Sequence, residues 1–305
     1  MQALKNRGEE MNGRKILNEL IAIFIFLNVA LFTFNVIKTV ANYRLSEARI
    51  NNVIYALEQK QIYLETKLPR NFGPKEQATL SDLLGSSTTV ERYDLVSALF
   101  GAKNGNITVS KDSNEPDVII HKFQDEALEF SRNTITYTNS SVPDKGTQKI
   151  SIQNAKKVCK AFIKRLNYSK VFENSDIQYS EVENCLEMTF FERHKGLPVF
   201  DTYITFEIVD GQIKKATMKL GKISKLEGEV GKKTIYPIDL VLFGIDDDLE
   251  VEKPIYITNI TLGYKTINQK NIALLGAQLI PVYKIEFKGL NNPIYVNAYT
   301  NKRIE

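Results

Sequence analysis

The stretch Ile16–Ile37, ILNELIAIFIFLNVALFTFNVI, decides how the rest of the chain is organised. Glu19 is the one charged residue among its 22, and most of the others are aliphatic or aromatic. A helix of this length spans about 30 Å, the thickness of the hydrocarbon core of a bilayer. A buried core helix would need a wide polar face, which this stretch lacks. No small-residue cleavage site follows it, so the sequence predicts a transmembrane helix over residues 16–38 rather than a signal peptide.

The charges on either side of this helix predict its orientation. Four cations precede it, two of them at its edge, and two follow it: Lys5, Arg7, Arg14 and Lys15, then Lys38 and Arg44. The positive-inside rule therefore predicts a cytoplasmic tail over residues 1–15 and an extracytoplasmic domain after about residue 38. We expect a single-pass protein of the cell membrane.

Two amides lie in the middle and the later part of the apolar helix. Asn28 and Asn35 are seven residues apart and so project from the same side. An amide in hydrocarbon favours a hydrogen-bonded partner, and such bonds between helices contribute about 1 kcal/mol. One hypothesis is that this side contacts another membrane helix. The alternative is that Asn28 bonds back to its own helix and that Asn35 lies in the wet interface.

Composition limits the class of protein. The chain has 305 residues, of which 43% are hydrophobic and 25% charged, as in folded proteins generally. The net charge is +4, and the predicted tail supplies +2 of it, so the remainder is nearly neutral and offers no basic patch for nucleic acid. Cys159 and Cys185 could form a disulfide outside the cell. Cys159 lies on the apolar face of a predicted helix, however, which slightly favours free thiols.

Residues 39–140 are predicted to hold a juxtamembrane helix and a first α+β unit. Residues 43–60 have helical periodicity and continue from the membrane, and a short extended piece then ends at Leu68-Pro69. Thr89 can cap a helix over 90–100 that closes at Gly101. Strands are predicted at 107–110, 117–121, 126–131 and 133–139. The segment Ser140–Gly146, SSVPDKG, is typical of a linker and is taken as the boundary.

Residues 141–305 are predicted to form a second and a third α+β unit. An amphipathic helix at 150–168 precedes strands at 177–182, 186–192, 197–209 and 212–220, with Asp210-Gly211 as a tight turn. A helix at 234–245 precedes strands at 254–263, 279–288 and 293–299. The fold class is therefore α+β, in which each helix is followed by an antiparallel meander. The acidic run 246–252 lacks the ligand spacing of a calcium loop and is interpreted as a solvated loop.

The sequence shows no catalytic signature. His121 and His194 are far apart, without an HExxH motif or a Cys/His cluster, and we interpret both as surface histidines. Neither G-x-S-x-G nor S-x-x-K occurs. A wall glycosidase with paired carboxylates is a further hypothesis, but no strand-end pair singles any out. We expect a protein that is not an enzyme and that holds neither a metal nor a cofactor.

One N-terminal anchor, a juxtamembrane helix and an extended piece ending at Leu68-Pro69 are followed by three distinctive C-terminal segments. These are a strand with Gly263-Tyr264, a strand with Pro281 and Tyr283, and a strand with Asn297. This pattern resembles the YycI family, membrane proteins of Gram-positive bacteria that act beside the YycFG (WalRK) two-component system. Tyr283 stands where the family usually has Trp, and Asn301 where it has Gly.

The resemblance implies a regulatory role. Family members contact a sensor histidine kinase (YycG or WalK) through their transmembrane helices, together with those of YycH, and their exported domains pair with each other. In this chain the residues available for such contacts are Asn28, Asn35, Phe24, Phe26, Phe32 and Phe34. Lipid exposure is the alternative for each phenylalanine. A homodimer and a heterodimer both stay open.

The alternative function is a membrane-anchored, PepSY-like binding module that inhibits or escorts an exported enzyme. PepSY-like domains also pair a helix with a meander. This alternative requires an exposed groove or sheet edge in the second or third unit.

Overall fold

The computed structural model describes residues 2–82, 89–101, 107–111, 118–131, 134–182, 184–225, 231–245, 254–267, 277–290 and 292–304. The fold is α+β, with one N-terminal apolar helix and a large, mostly antiparallel sheet. The acidic run at 246–252, interpreted above as a solvated loop, lies outside the described residues.

The helices and strands follow one another along the chain in an order close to the predicted one. The helices are α1 Gln2–Asn42, α2 Glu47–Gln59, α3 Thr89–Phe100, α4 Ile152–Arg165 and α5 Ile238–Phe243. The strands are β1 Ile62–Leu64, β2 Ala78–Asp82, β3 Thr108–Lys111, β4 Ile119–Phe123, β5 Glu126–Phe130, β6 Ile135–Asn139, β7 Asp176–Val182, β8 Cys185–His194, β9 Leu197–Val209, β10 Gln212–Lys219, β11 Gly221–Lys225, β12 Ile255–Thr266, β13 Ala277–Phe287, β14 Ile294–Asn297 and β15 Lys302–Ile304.

One part of the sheet is wholly antiparallel, in the order β7-β8-β9-β10-β6-β5-β4-β3. Helices α3 and α4 bury their apolar residues in a core shared with these strands. Ser151 caps α4, because its hydroxyl accepts a hydrogen bond from the Asn154 N–H at 3.3 Å. Ala155, Cys159 and Phe162 then lie on one face of α4, against the sheet.

The segment Ser140–Gly146, predicted as a linker, joins two parts of this same sheet. Strand β6 before it pairs with β10 after it, and residues from both sides contribute to one core. The chain beyond the segment is tied to the Asp210-Gly211 turn, because the Asp210 carboxylate accepts from the Thr147 and Gln148 N–H groups at 2.8 and 2.9 Å. The composition of the segment suits an exposed turn, and local composition cannot reveal that distant strands pair.

The other part of the sheet centres on β12 and β13. Strand β1 pairs with β12 in parallel, whereas β13 pairs antiparallel with β12, β14 and β2. Helices α2 and α5 cover these strands and share a second hydrophobic core with them. Helix α5 is shorter than the predicted helix at 234–245, since it begins only after Pro237.

Strand β9 links the two parts of the sheet. Its residues from Tyr203 onward pair with β8 and β10, whereas Val199 pairs in parallel with Tyr264 of β12. Between these two pairings, β9 bulges away from β8 opposite Glu192. The strand thereby passes from one hydrophobic core to the other.

Candidate functional site: an apolar helix joined directly to the folded domain

The apolar helix has no protein packed on its membrane-length portion. Residues 16–42 are long and apolar enough to span a bilayer, and none of that window is buried. The large side chains are open all round, with Phe24 and Phe32 exposed by 68% and 71%. A helix that is hydrophobic all round and unburied needs an apolar environment that the chain itself does not supply.

The two predicted amides lie along one side of this helix. The Asn28 amide donates to the Phe24 carbonyl at 2.8 Å, which is the back-bonded arrangement considered above. That bond leaves the side-chain oxygen of Asn28 without a donor among the described residues. Phe24 and Phe32 are each four residues from Asn28, so these side chains and Asn35 share a face. Contact of this face with another helix stays a prediction.

The apolar helix enters the folded domain without a flexible linker. Helix α1 ends at Asn42, and the next residues form an extended bridge: Arg44 pairs with Asn71, the Leu45 N–H donates to the Arg70 carbonyl at 2.9 Å, and the Phe72 N–H donates to the Tyr43 carbonyl at 3.0 Å. Leu45 is 2% exposed and belongs to the core under α2. The predicted continuous helix at 43–60 was therefore wrong at its start, because this pairing with residues 70–72 breaks it.

Helix α2 is fixed at the start of the domain by a cap and an ion pair. Ser46 caps it through the Arg49 N–H. The Arg49 guanidinium then makes two bonds to the carboxylate of Asp239 in α5, at 2.7 and 2.8 Å. Asp239 is 3% exposed, and such bidentate pairs are strong and directional. The sequence analysis did not identify the Arg49–Asp239 pair. It also missed the cap, although Ser46 followed by Glu47 is a signal for a helix start.

Two of the residues that carry the family resemblance, Leu68 and Tyr283, lie in the core under α2. Leu68, 8% exposed, packs in that core, and Pro69 follows it into the extended bridge. Tyr283 is fully buried there and its hydroxyl donates to the Tyr236 carbonyl at 2.8 Å. Burial raises the pKa of that hydroxyl, with Asp239 adding to the effect. These positions fix the domain into which the apolar helix runs.

Gly263 and Tyr264 lie where β12 meets β9. A Cβ at Gly263 would stand 2.5 Å from the Phe200 ring and 2.7 Å from the Pro198 carbonyl, so only glycine fits. Tyr264, 1% exposed, packs with Val199 and lies edge-on to the His194 ring at 5.3 Å.

Pro281 and Asn297 lie where β13 and β14 part. The Pro281 carbonyl accepts a hydrogen bond from the Ala298 N–H at 3.0 Å. On that same side of β13 the proline has no N–H to donate, but β14 ends there, so no ladder bond is needed. The Asn297 side chain accepts from the Tyr299 N–H at 2.8 Å and thereby shapes the turn after β14. Both residues have structural roles.

Asp201 ties the two parts of the sheet together. Asp201 is 7% exposed, and its carboxylate accepts hydrogen bonds from the Thr266 N–H and from the Thr266 hydroxyl, both at 2.7 Å. Lys219 of β10 and Lys265 of β12 approach it at 3.4 and 3.5 Å. Burial by itself would raise the pKa of Asp201, but the two lysines and Thr266 outweigh it, so the pKa is lowered and the carboxylate is ionised.

Of the histidines and cysteines, His121 and Cys159 are buried, whereas His194 and Cys185 are half-buried. The interpretation of His121 as a surface residue was wrong, since it is 5% exposed and lies between the Tyr93 and Phe130 rings. The reason is that His121 is on the same, core-facing side of β4 as Phe123, two residues later. Cys159 and Cys185 are free thiols. Burial raises the pKa of Cys159 to about 12, which makes it unreactive. Among the described residues, no group of His, Cys, Asp and Glu could hold a metal.

Comparison with known proteins places the fold alone. No protein-family model matches the chain, and no curated protein does so either. A solved structure that is similar is the crystal structure of an uncharacterized protein from Eubacterium rectale, with a TM-score of 0.55 and 12% sequence identity. The match covers 84% of this chain and 98% of that one. The chain is similar to that protein in fold.

Proposed function

We propose that this protein is a single-pass membrane regulator of a sensor histidine kinase. Helix α1 crosses the membrane with residues 1–15 in the cytoplasm, and the α+β domain lies outside. The face with Asn28 and Asn35 contacts the membrane helix of the kinase, with a YycH-like protein as a further partner. The observation that carries this proposal is the linker-free junction at residues 43–45.

The junction matters because a regulator must make a contact that differs between two states of its target. A domain on a flexible tether could change its state without moving the helix. Here Leu45 is buried in the domain core, its N–H is hydrogen-bonded to Arg70, and the Tyr43 carbonyl just before it is hydrogen-bonded to Phe72. A rearrangement of the domain would therefore tilt or rotate α1, and its amide face would turn with it.

Photo-crosslinking from within the helix tests this proposal. A photoreactive phenylalanine analogue at Phe32 would lie on the amide face, and the same analogue at Phe26 would lie on the opposite side of the helix. Both phenylalanines are 71% exposed, so they form a matched pair. We expect a crosslink to a histidine kinase from Phe32 and little from Phe26. Equal labelling from both positions, or none, would overturn the contact face.

A second candidate function is the binding of an exported partner along a free sheet edge. Among the described strands, β7 pairs with β8 alone, and Tyr179 on it is 56% exposed. A polar cavity of about 390 Å³ lies beside it, with Gln178 and Glu286 among its lining residues. An extended segment of another protein can add to such an edge.

Exchange of the helix separates the two candidates. If α1 is replaced by an unrelated apolar span of the same length, the binding module keeps its activity because the helix only anchors it. The kinase regulator loses its activity, since the amide face is gone. Loss of activity with membrane insertion retained would therefore count against the second candidate.

A further inference from the structure

A cavity of about 640 Å³ opens between helices α3 and α4 on the helical side of the sheet. This volume falls in the range of small-molecule pockets, about 300–1,000 Å³. Leu95 of α3, Ile135 of β6, Leu166 after α4 and Leu220 after β10 contribute its apolar floor. These four side chains belong to the large core, so the floor is set by the fold.

Arg92 stands at the edge of this floor with unused hydrogen-bonding capacity. Its Nε is buried and has no hydrogen-bond partner in the structure. The guanidinium lies over the Phe130 ring, with Cζ 6.0 Å from the ring centre, and makes no ion pair with any residue that the structure describes. A buried N–H without an acceptor is unfavourable, so a ligand acceptor that the Arg92 side chain turns to meet would stabilise it.

Among the residues that the structure describes, the other charged and titratable groups near Arg92 do not neutralise it. Burial, and then Arg92 itself, lowers the pKa of the neighbouring His121, so that ring is uncharged near neutral pH. Asp94 also lines the cavity, but it is exposed, and water screens its charge. The cavity thus combines an apolar floor with one cation at its edge.

We propose that this cavity binds an amphipathic carboxylic acid, such as a medium-chain fatty acid. The hydrocarbon tail lies on Leu95, Ile135, Leu166 and Leu220, and the carboxylate accepts hydrogen bonds from the Arg92 guanidinium. A planar guanidinium and a carboxylate match in geometry. This site does not depend on what helix α1 contacts, so it stands or falls separately from the regulatory proposal.

A photoreactive fatty acid tests the site on the full chain. The probe is decanoic acid with a diazirine in its tail, added to the protein in phosphatidylcholine nanodiscs, and the labelled peptides are mapped by mass spectrometry. We expect saturable labelling near residues 92–98 and 166–168. Decanoate should compete for this labelling, whereas decan-1-ol, which lacks the charge, should compete about tenfold less well.

Three substitutions sharpen the result. Arg92→Gln should weaken labelling about tenfold, whereas Lys160→Gln, which removes an exposed cation on α4 outside the cavity, should leave it unchanged. Asp94→Asn should strengthen labelling, because it removes a like charge. Equal competition by decanoate and decan-1-ol, or labelling confined to α1, would overturn the proposal even if the Arg92 variant failed to fold.

Discussion

Gly263 shows how one residue can be fixed by a neighbouring strand. The Phe200 ring and the Pro198 carbonyl occupy the space that any Cβ would need. We predict that Gly263→Ala lowers the free energy of unfolding by about 1–3 kcal/mol, the usual cost of overpacking a tight core. Denaturant unfolding of the solubilised full chain measures this.

The control for this prediction is Gly231→Ala. A Cβ at Gly231 would meet nothing within 4 Å, so its effect should stay within about 0.5 kcal/mol. The double variant Gly263→Ala with Phe200→Leu should cost less than the sum of the two single changes, because the smaller side chain releases the clash. Additive effects would show that the contact with Phe200 is not the cause.

Glu192 makes stability depend on pH. Its side-chain oxygen Oε2 is buried opposite the bulge in β9 and has no hydrogen-bond partner among the described residues, and burial raises the pKa of Glu192 to about 7. A carboxyl with a raised pKa in the folded state contributes stability that is present below its unfolded pKa and lost as pH rises through about 7. The Glu192→Gln variant should therefore gain stability relative to the parent between pH 5 and pH 8.

Unfolding midpoints of both proteins at pH 5 and pH 8 check this prediction. Asp201 provides the internal contrast, because its lowered pKa affects stability only in acid, as pH falls below the usual range of a carboxyl. Parallel pH profiles for the parent and the Glu192→Gln variant would contradict the assignment to Glu192.

Helix α2 is held against α5 by the Arg49–Asp239 pair. Asp239 is 3% exposed, and removal of its charge leaves the guanidinium facing a neutral amide. We predict that Asp239→Asn destabilises the fold by about 1–3 kcal/mol. Asp144→Asn is the matched control, since that carboxylate, 91% exposed, pairs with Lys214 at the surface, where water screens the pair, and its loss should have a much smaller effect. Equal effects in the two variants would refute the difference in burial as the cause.

Elements set by local chemistry could be predicted from the sequence, whereas those set by distant pairing could not. The helix at Thr89–Phe100 ends at Gly101 with φ +66°, and the Asp210-Gly211 turn has φ values of +47° and +81°, as its dipeptide predicts. The break at Tyr43 carries no glycine or proline, and it exists only because Arg44 pairs with Asn71. The pairing of β6 with β10 is likewise invisible in either strand alone.

The candidate functional site could likewise be predicted only where it depends on local sequence. The apolar helix was evident from Ile16–Ile37, and its amide face follows from helix geometry alone. The junction between the apolar helix and the domain is held by residues 70–72 and by Asp239. These residues come close to the junction only when β1, β12 and α5 have assembled. No local pattern could have predicted that the helix joins the domain without a linker.

The regulatory role proposed above requires that junction, and an insertion tests this requirement. Four residues, Gly-Ser-Gly-Ser, placed between Asn42 and Tyr43 would leave the domain core intact but would replace a rigid connection by a flexible one. We predict an unchanged unfolding midpoint and an unchanged crosslink from Phe32, but loss of the protein's effect on autophosphorylation of the crosslinked kinase. The same insertion between Glu173 and Asn174, exposed residues far along the chain, should preserve that effect. If the insertion after Asn42 also preserved it, the helix would act through its presence alone, because no movement could then be passed from the domain.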